Sequence, residues 1–168
     1  ASMPLAFTYP LMKRFTYWPQ LFLGITFNYG LILGWTSINE QLDIIPFIFY
    51  FGAIFWTLGY DTIYGYQDIQ DDEIIGLKST SIKFKGTEKS FLTICYLILI
   101  FSLLIGGYQM NFNKYYYLFL TLPISHLIFY QIRLFDSKNP NNCLKIFKSN
   151  NYFGLLILIS IFIGKNYL

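Results

Sequence analysis

An all-α, polytopic bundle of about five transmembrane spans is the fold class this sequence predicts, on three observations: its composition, the lengths of its apolar runs, and the side on which its cations fall. Of 168 residues, 55% are hydrophobic and 12% charged, against about 25% charged in a soluble domain. Phe and Tyr, at 18 and 15 copies, supply most of the aromatic content and suit both hydrocarbon and its boundary. Helix is the default because lipid offers the backbone no hydrogen bonds, and the alternation of a barrel strand is absent. The partner implied first is the bilayer itself, and no nucleic acid is expected.

In chain order, Ala1 to Met12 is apolar but too short to cross. It lacks Met at position 1 and reads as the tail of a severed helix, because Lys13 and Arg14 follow it where a signal peptide carries charge in front. Spans are predicted at 20–38, 42–60, 91–108, 115–132 and 152–168. Each approaches the ~20 residues that a rise of ~1.5 Å needs to cross ~30 Å of hydrocarbon. The last is the shortest, since its apolar core stops at Gly164. One partial domain covers 1–168, with a polar loop at 61–90.

Charge placement tests that span count. Lys13, Arg14, Lys78, Lys83, Lys85, Lys89, Arg133, Lys138, Lys145 and Lys148 fall on one side, and Lys114 and Lys165 on the other. By the positive-inside rule the N-terminus and the 61–90 loop face the cytoplasm, or the matrix of a mitochondrion. A bacterial inner membrane is the first expectation for location and a mitochondrial inner membrane the second.

Within the spans, Gly30 and Gly34 form a GxxxG pair and read as helix contact points. Asn28 is an amide in lipid that takes either a polar partner or a substrate. His126, the single histidine, receives no role. Cys95 lies in an apolar run and Cys143 in a basic loop, without a CxxC or a histidine at ligand spacing, and both read as incidental.

Chemistry concentrates in the loop. Five of the nine acidic residues lie between Asp61 and Glu73. If the second span stays helical past Tyr60, Asp61, Asp68 and Asp72 stand at i, i+7 and i+11 on one face. Repelling carboxylates one turn apart call for a cation or a solvated setting. Mg²⁺ suits them, because it takes one or two carboxylates and completes its shell with water and phosphate oxygens. Tyr64, Gly65, Tyr66 and Gly76 surround these acids, and Lys78, Ser79 and Thr80 follow as anion donors. Lys13 and Arg14 share that membrane side and reach the same phosphate, or serve as topological anchors.

The segment YDTIYGYQDIQDDEIIGLKST resembles the second aspartate-rich motif and following GxKST of the UbiA superfamily of membrane prenyltransferases, in particular its 4-hydroxybenzoate polyprenyltransferases. YPLMKRFTYWPQLFLGITFNYGLILGW and NNYFGL resemble further segments of those proteins, so the likeness covers nearly the whole chain. The resemblance implies the C-terminal part of a nine-helix fold that moves a polyprenyl group from its diphosphate to the ring of 4-hydroxybenzoate, in ubiquinone biosynthesis, with Mg²⁺ as cofactor. Carried across position by position, it implies Asp68 and Asp72 as metal ligands, Asp61 as a further acid, Arg14, Lys78 and Lys13 at the diphosphate, and Asn28 and Tyr64 in the substrate cavity. Asp68, Asp72 and Arg14 would then be the catalytic residues.

The family's first motif, of the form NxxxDxxxD, is absent. Asn39 and Asp43 match half of it, but Phe47 follows and the topology puts them on the opposite membrane face. A separate N-terminal half carrying that motif is therefore an expected partner, and the 168 residues alone are expected to be inactive. Two other readings stand beside this one: an inactive fragment of a split gene, and a transporter subunit. The transporter reading is disfavoured by the scarcity of ionisable residues at mid-span.

Overall fold

A computed structural model describes residues 3–166. Among them every regular element is helical. A short α1 (Met3–Thr8), a 3₁₀ turn (Tyr9–Leu11) and α2 (Met12–Phe15) lead into α3 (Pro19–Phe27) and α4 (Tyr29–Asn39). Then come α5 (Ile44–Gly65), α6 (Ile69–Ile75), α7 (Thr80–Lys83) and α8 (Glu88–Gln109). α9 (Lys114–Ser125) runs into a π-helical stretch (His126–Ile132), and α10 (Pro140–Lys148) and α11 (Asn150–Asn166) complete the order.

Local chemistry sets these boundaries. Pro19 opens α3 at a position where a missing N–H costs nothing. The Asp43 side chain accepts from Ile44 N and caps α5, as Asn113 caps α9 and Asn139 caps α10. Glu40 (φ 55°) closes α4 in the left-handed region, and Gly76 (φ 78°) closes α6.

Four stretches are long and apolar enough to cross a membrane: Pro19–Asn39, Ile44–Gly65, Glu88–Gln109 and Pro140–Lys165. They contain the predicted runs 20–38 and 91–108, all of 42–60 but its first two residues, and most of 152–168; Tyr167 and Leu168 lie outside the described residues, as do Ala1 and Ser2 of the severed-helix expectation. The chain is thus an integral membrane protein. The run 115–132 is helical throughout, but only its first part is α-helix. Pro123 removes a backbone donor there, and the π stretch begins within a turn of it. The basic segment around Cys143, expected as a loop, is the amphipathic helix α10, with Cys143 and Ile146 buried and Lys145 and Lys148 exposed.

Contacts between helix ends agree with the division of charge. On one face Lys89 Nζ donates to Arg133 O at 3.3 Å, and Lys78 N donates to Lys13 O at 2.8 Å. On the other, Asn113 N donates to Gly164 O at 3.2 Å, beside Lys114 and Lys165.

α5 is the central helix, packed chiefly on α8 and then on α3, while α11 packs on α9. Close approach depends on glycines other than the expected pair. A Cβ on Gly24 would meet Ile54 O at 2.9 Å, and one on Gly59 would meet the Tyr96 ring at 2.6 Å. A Cβ on Gly30 or Gly34 would meet nothing within 4 Å. Their expected role as helix contacts is therefore corrected: both glycines are exposed on the outer side of α4.

Candidate active site

Asp61 occupies the last turn of α5, half-buried. The helix does not continue to Asp68. It ends at Gly65, where a side chain would collide with Ser81 Oγ, and the chain turns through Tyr66 and Gln67 on bonds to Ile63 O and Tyr64 O. The expected single face holding all three aspartates is thus broken. Asp68 immediately precedes α6, and Asp72 lies one turn on, its N–H donating to Asp68 O at 2.9 Å.

The two carboxylates meet different surroundings. Asp72 is 7% exposed, and Lys13 Nζ stands 3.3 Å from its Oδ2. The Lys13 charge also acts on Asp61. Asp68 is exposed and opens onto a polar hollow of about 520 Å³ shared with Asp71, Lys85, Glu88 and Lys138. Tyr66 lines the same hollow with its hydroxyl buried and unpaired, and burial pushes its phenol well above the ordinary range.

The cations converge from two chain segments. Lys78 is tied to the 13–15 stretch through its backbone bond to Lys13 and through Nζ, which donates to Phe15 O at 3.3 Å. The Tyr17 ring lies 5.6 Å from the same ammonium. Arg14 is exposed and pairs with no acid among the described residues. One cation, Lys13, thus pairs with a buried acid, Lys78 is tied to the same short segment, and the Arg14 guanidinium is in no ion pair among the described residues.

Ser79 and Thr80, expected as anion donors, are used internally. Ser79 caps α7 by accepting from Ile82 N at 3.3 Å. The Thr80 hydroxyl lies 2.6 Å from that of Thr62, and Thr80 N donates to Gln20 Oε1 at 3.1 Å. Thr62, Thr80 and Ser81 are fully buried, and Ser81 Oγ donates to Thr62 O at 2.7 Å. These bonds clamp the loop onto α3 and α5 and so position Lys78. Gln20 escaped sequence reasoning because a polar residue at the start of an apolar run reads as boundary, not as an anchor.

Among the described residues no three Asp, Glu, His or Cys side chains converge as a metal cage. Asp61 therefore does not complete a triad with Asp68 and Asp72. Asp68 and Asp72 stand one helical turn apart, and two carboxylates are as many as Mg²⁺ needs when phosphate and water supply the rest.

Inward from this surface lies an apolar cavity of about 390 Å³, lined by Asn28, Trp35, Phe49, Trp56, Leu103 and Phe153 among others. Its nearest wall residue on α5, Trp56, is five residues from Asp61, about 7.5 Å along the axis. Asn28 sits between α3 and α4, its Nδ2 bonded to Gly24 O (2.8 Å), Thr57 Oγ1 (2.7 Å) and Ala53 O (3.2 Å). The amide thus finds polar partners and lines the cavity as well. Tyr64 does not line it: the side chain is exposed and packs 4.6 Å from the Phe147 ring.

The sequence model of the UbiA prenyltransferase family matches residues 1–160. The chain is 42% identical over 166 residues to the mitochondrial 4-hydroxybenzoate polyprenyltransferase of Bos taurus, covering 98% of this chain and 44% of that protein. It is 41% identical over 164 residues to 4-hydroxybenzoate geranyltransferase 2 of Lithospermum erythrorhizon, covering 97% and 53% respectively. The human mitochondrial 4-hydroxybenzoate polyprenyltransferase is 41% identical over 165 residues, 98% of this chain and 44% of its own length. The chain therefore spans about half the length of these relatives. No solved structure matches it.

Proposed function

Because the chain belongs to the UbiA prenyltransferase family, we propose that it forms the C-terminal part of an enzyme that transfers a polyprenyl group from its diphosphate to 4-hydroxybenzoate. The observation that carries this reading is the Lys13–Asp72 ion pair with Lys78 tied to the same 13–15 stretch, together with an apolar cavity deeper in the bundle that reaches α5 from Trp56 to Phe49. A substrate with an anionic head and a hydrocarbon tail has that polarity.

In this reading Arg14, Lys78 and Lys13 hold the diphosphate oxygens, and the guanidinium of Arg14 contributes bidentate bonds. Asp68 and Asp72 would hold Mg²⁺ against the same oxygens, with Asp61 acting through the charge of Lys13. The chemistry Mg²⁺ supplies when bound is neutralisation of the departing diphosphate. The prenyl C–O bond breaks and its electron pair leaves on the diphosphate. The ring carbon beside the phenol oxygen bonds to the allylic carbon and then releases its proton. The apolar wall around Trp56 and Phe153 shields the cation from water.

We assign the remaining part of the cluster to an N-terminal half that carries a first acidic motif, and we place the protein in an inner membrane with the 61–90 loop toward cytosol or matrix. The isolated 168 residues are expected not to turn over. The test is prenyl transfer by membranes containing the complete polypeptide. Asp68→Asn and Asp72→Asn should each lower Mg²⁺-dependent product formation by about 10²-fold or more, and wild-type rates in both variants would refute the reading.

A further inference from the structure

A second group of polar side chains is buried between the helices, apart from the Lys13–Asp72 pair. The Tyr96 hydroxyl on α8 donates to Gln131 Oε1 in the π stretch, and Gln131 Nε2 donates to Asn150 Oδ1 at 2.9 Å. Trp56 Nε1 on α5 donates to the same Asn150 oxygen at 2.9 Å. Asn150 Nδ2 in turn donates to Phe147 O at 3.0 Å, across the junction between α10 and α11. Gln131 and Tyr96 are essentially inaccessible, and Asn150 is 8% exposed. His126 Nδ1 stands 3.5 Å from Gln131 Nε2. α5 and the π stretch are thus tied to one amide oxygen at the start of α11, and α8 is joined to it through Gln131.

That oxygen fixes a wall of the apolar cavity. Trp56 lines it, with its ring 5.1 Å from that of Phe153, which also lines it, and 5.3 Å from that of Tyr60. An indole with a free N–H has several rotamers open to it, whereas one bonded to a buried, doubly engaged oxygen has its plane set. Trp56 is about 7.5 Å from Asp61 along α5. On the prenyl-transfer reading a tail enters from the Asp61 end, and of the cavity's α5 residues it meets Trp56 first, so a longer tail has to pass the ring.

We propose that Trp56 determines donor chain length and that Asn150 is its positioning residue, holding the indole so that a long tail has a defined path beyond it. This rests on the prenyl-transfer reading above. The Tyr96–Gln131 pair acts one step further out, fixing the Asn150 amide.

The test uses the complete enzyme and compares kcat and KM for geranyl and farnesyl diphosphate in wild type, Trp56→Phe, Asn150→Ala and the double variant. Trp56→Phe keeps an aromatic ring and removes the anchored N–H together with the rest of the five-membered ring. Each single variant should lower the farnesyl-to-geranyl ratio of kcat/KM at least threefold through KM. The double variant should match the singles, because Asn150 acts through Trp56. Multiplying effects in the double, or equal losses for both donors, would overturn the proposal. Should Asn150→Ala fail to accumulate, Trp56→Phe decides alone through the same ratio. A wild type that transfers neither donor defeats the prenyl-transfer reading instead, whereas a competent wild type with an unmoved ratio in Trp56→Phe defeats this inference only.

Discussion

The surface cluster around Asp72 and the buried network around Gln131 are built from equally polar residues, yet the protein treats them in opposite ways. In the network the connected polar atoms have protein partners, as the hydrocarbon around them demands. At the surface, Arg14 and Asp68 are exposed and stand in neither of the two ion pairs, Lys13–Asp72 and Lys85–Glu73, found among the described residues. Saturation marks a part that holds the fold, and incomplete pairing at a membrane mouth marks a part that waits for a ligand.

The contrast breaks most visibly if surface charges prove structural. Arg14→Ala in the complete enzyme should raise KM for prenyl diphosphate by about 10-fold or more, the worth of a charge-assisted hydrogen bond, while the unfolding midpoint in detergent stays put. A parallel fall in stability would move Arg14 into the structural class.

Packing glycines sharpen the other side. Gly59→Ala forces a methyl against the buried Tyr96 ring and should destabilise the bundle by about 1–3 kcal/mol. Gly30→Ala meets open space and should lie within about 0.5 kcal/mol of wild type. Equal effects, measured by equilibrium unfolding in bicelles, would contradict the assigned contacts. Gln131→Leu removes a bond at each end of its amide. Its cost should fall at about 0.6–1.7 kcal/mol, the range found for interhelical hydrogen bonds in lipid, with donor affinity for the head group unchanged in the same preparation.

Much of the fold was legible because a membrane imposes a length on every span: 20–38 and 91–108 sit inside observed spans, and 42–60 misses only by the two residues before Ile44. What stayed hidden were events without a strong local signal. The break between Gly65 and Asp68 comes from tight packing of Gly65 on Ser81, a tertiary contact, so a helical face drawn through Asp61, Asp68 and Asp72 did not survive. α10 was lost among its lysines and asparagines, because nine residues make too short a window for its apolar stripe to outweigh its charge. The GxxxG pair misled because small residues also face outward from a helix.

At the candidate site, residue types and membrane side predicted the company of Lys13, Lys78 and Asp72. Partner choice did not follow from spacing. Ser79 and Thr80 look like phosphate donors in sequence, and only burial against Thr62 and Gln20 shows that they clamp the loop. Asn28 has the polar partners that were one of its two expectations, its amide nitrogen tying α3 to α5, and the residue also borders the cavity.

The most direct measurement of the account is a Mg²⁺ titration of prenyl diphosphate binding to the complete enzyme in nanodiscs, run on wild type and Asp72→Asn. Affinity that climbs saturably with Mg²⁺ in wild type and stays flat in the variant is the predicted result. Superimposable curves for the two proteins would contradict it.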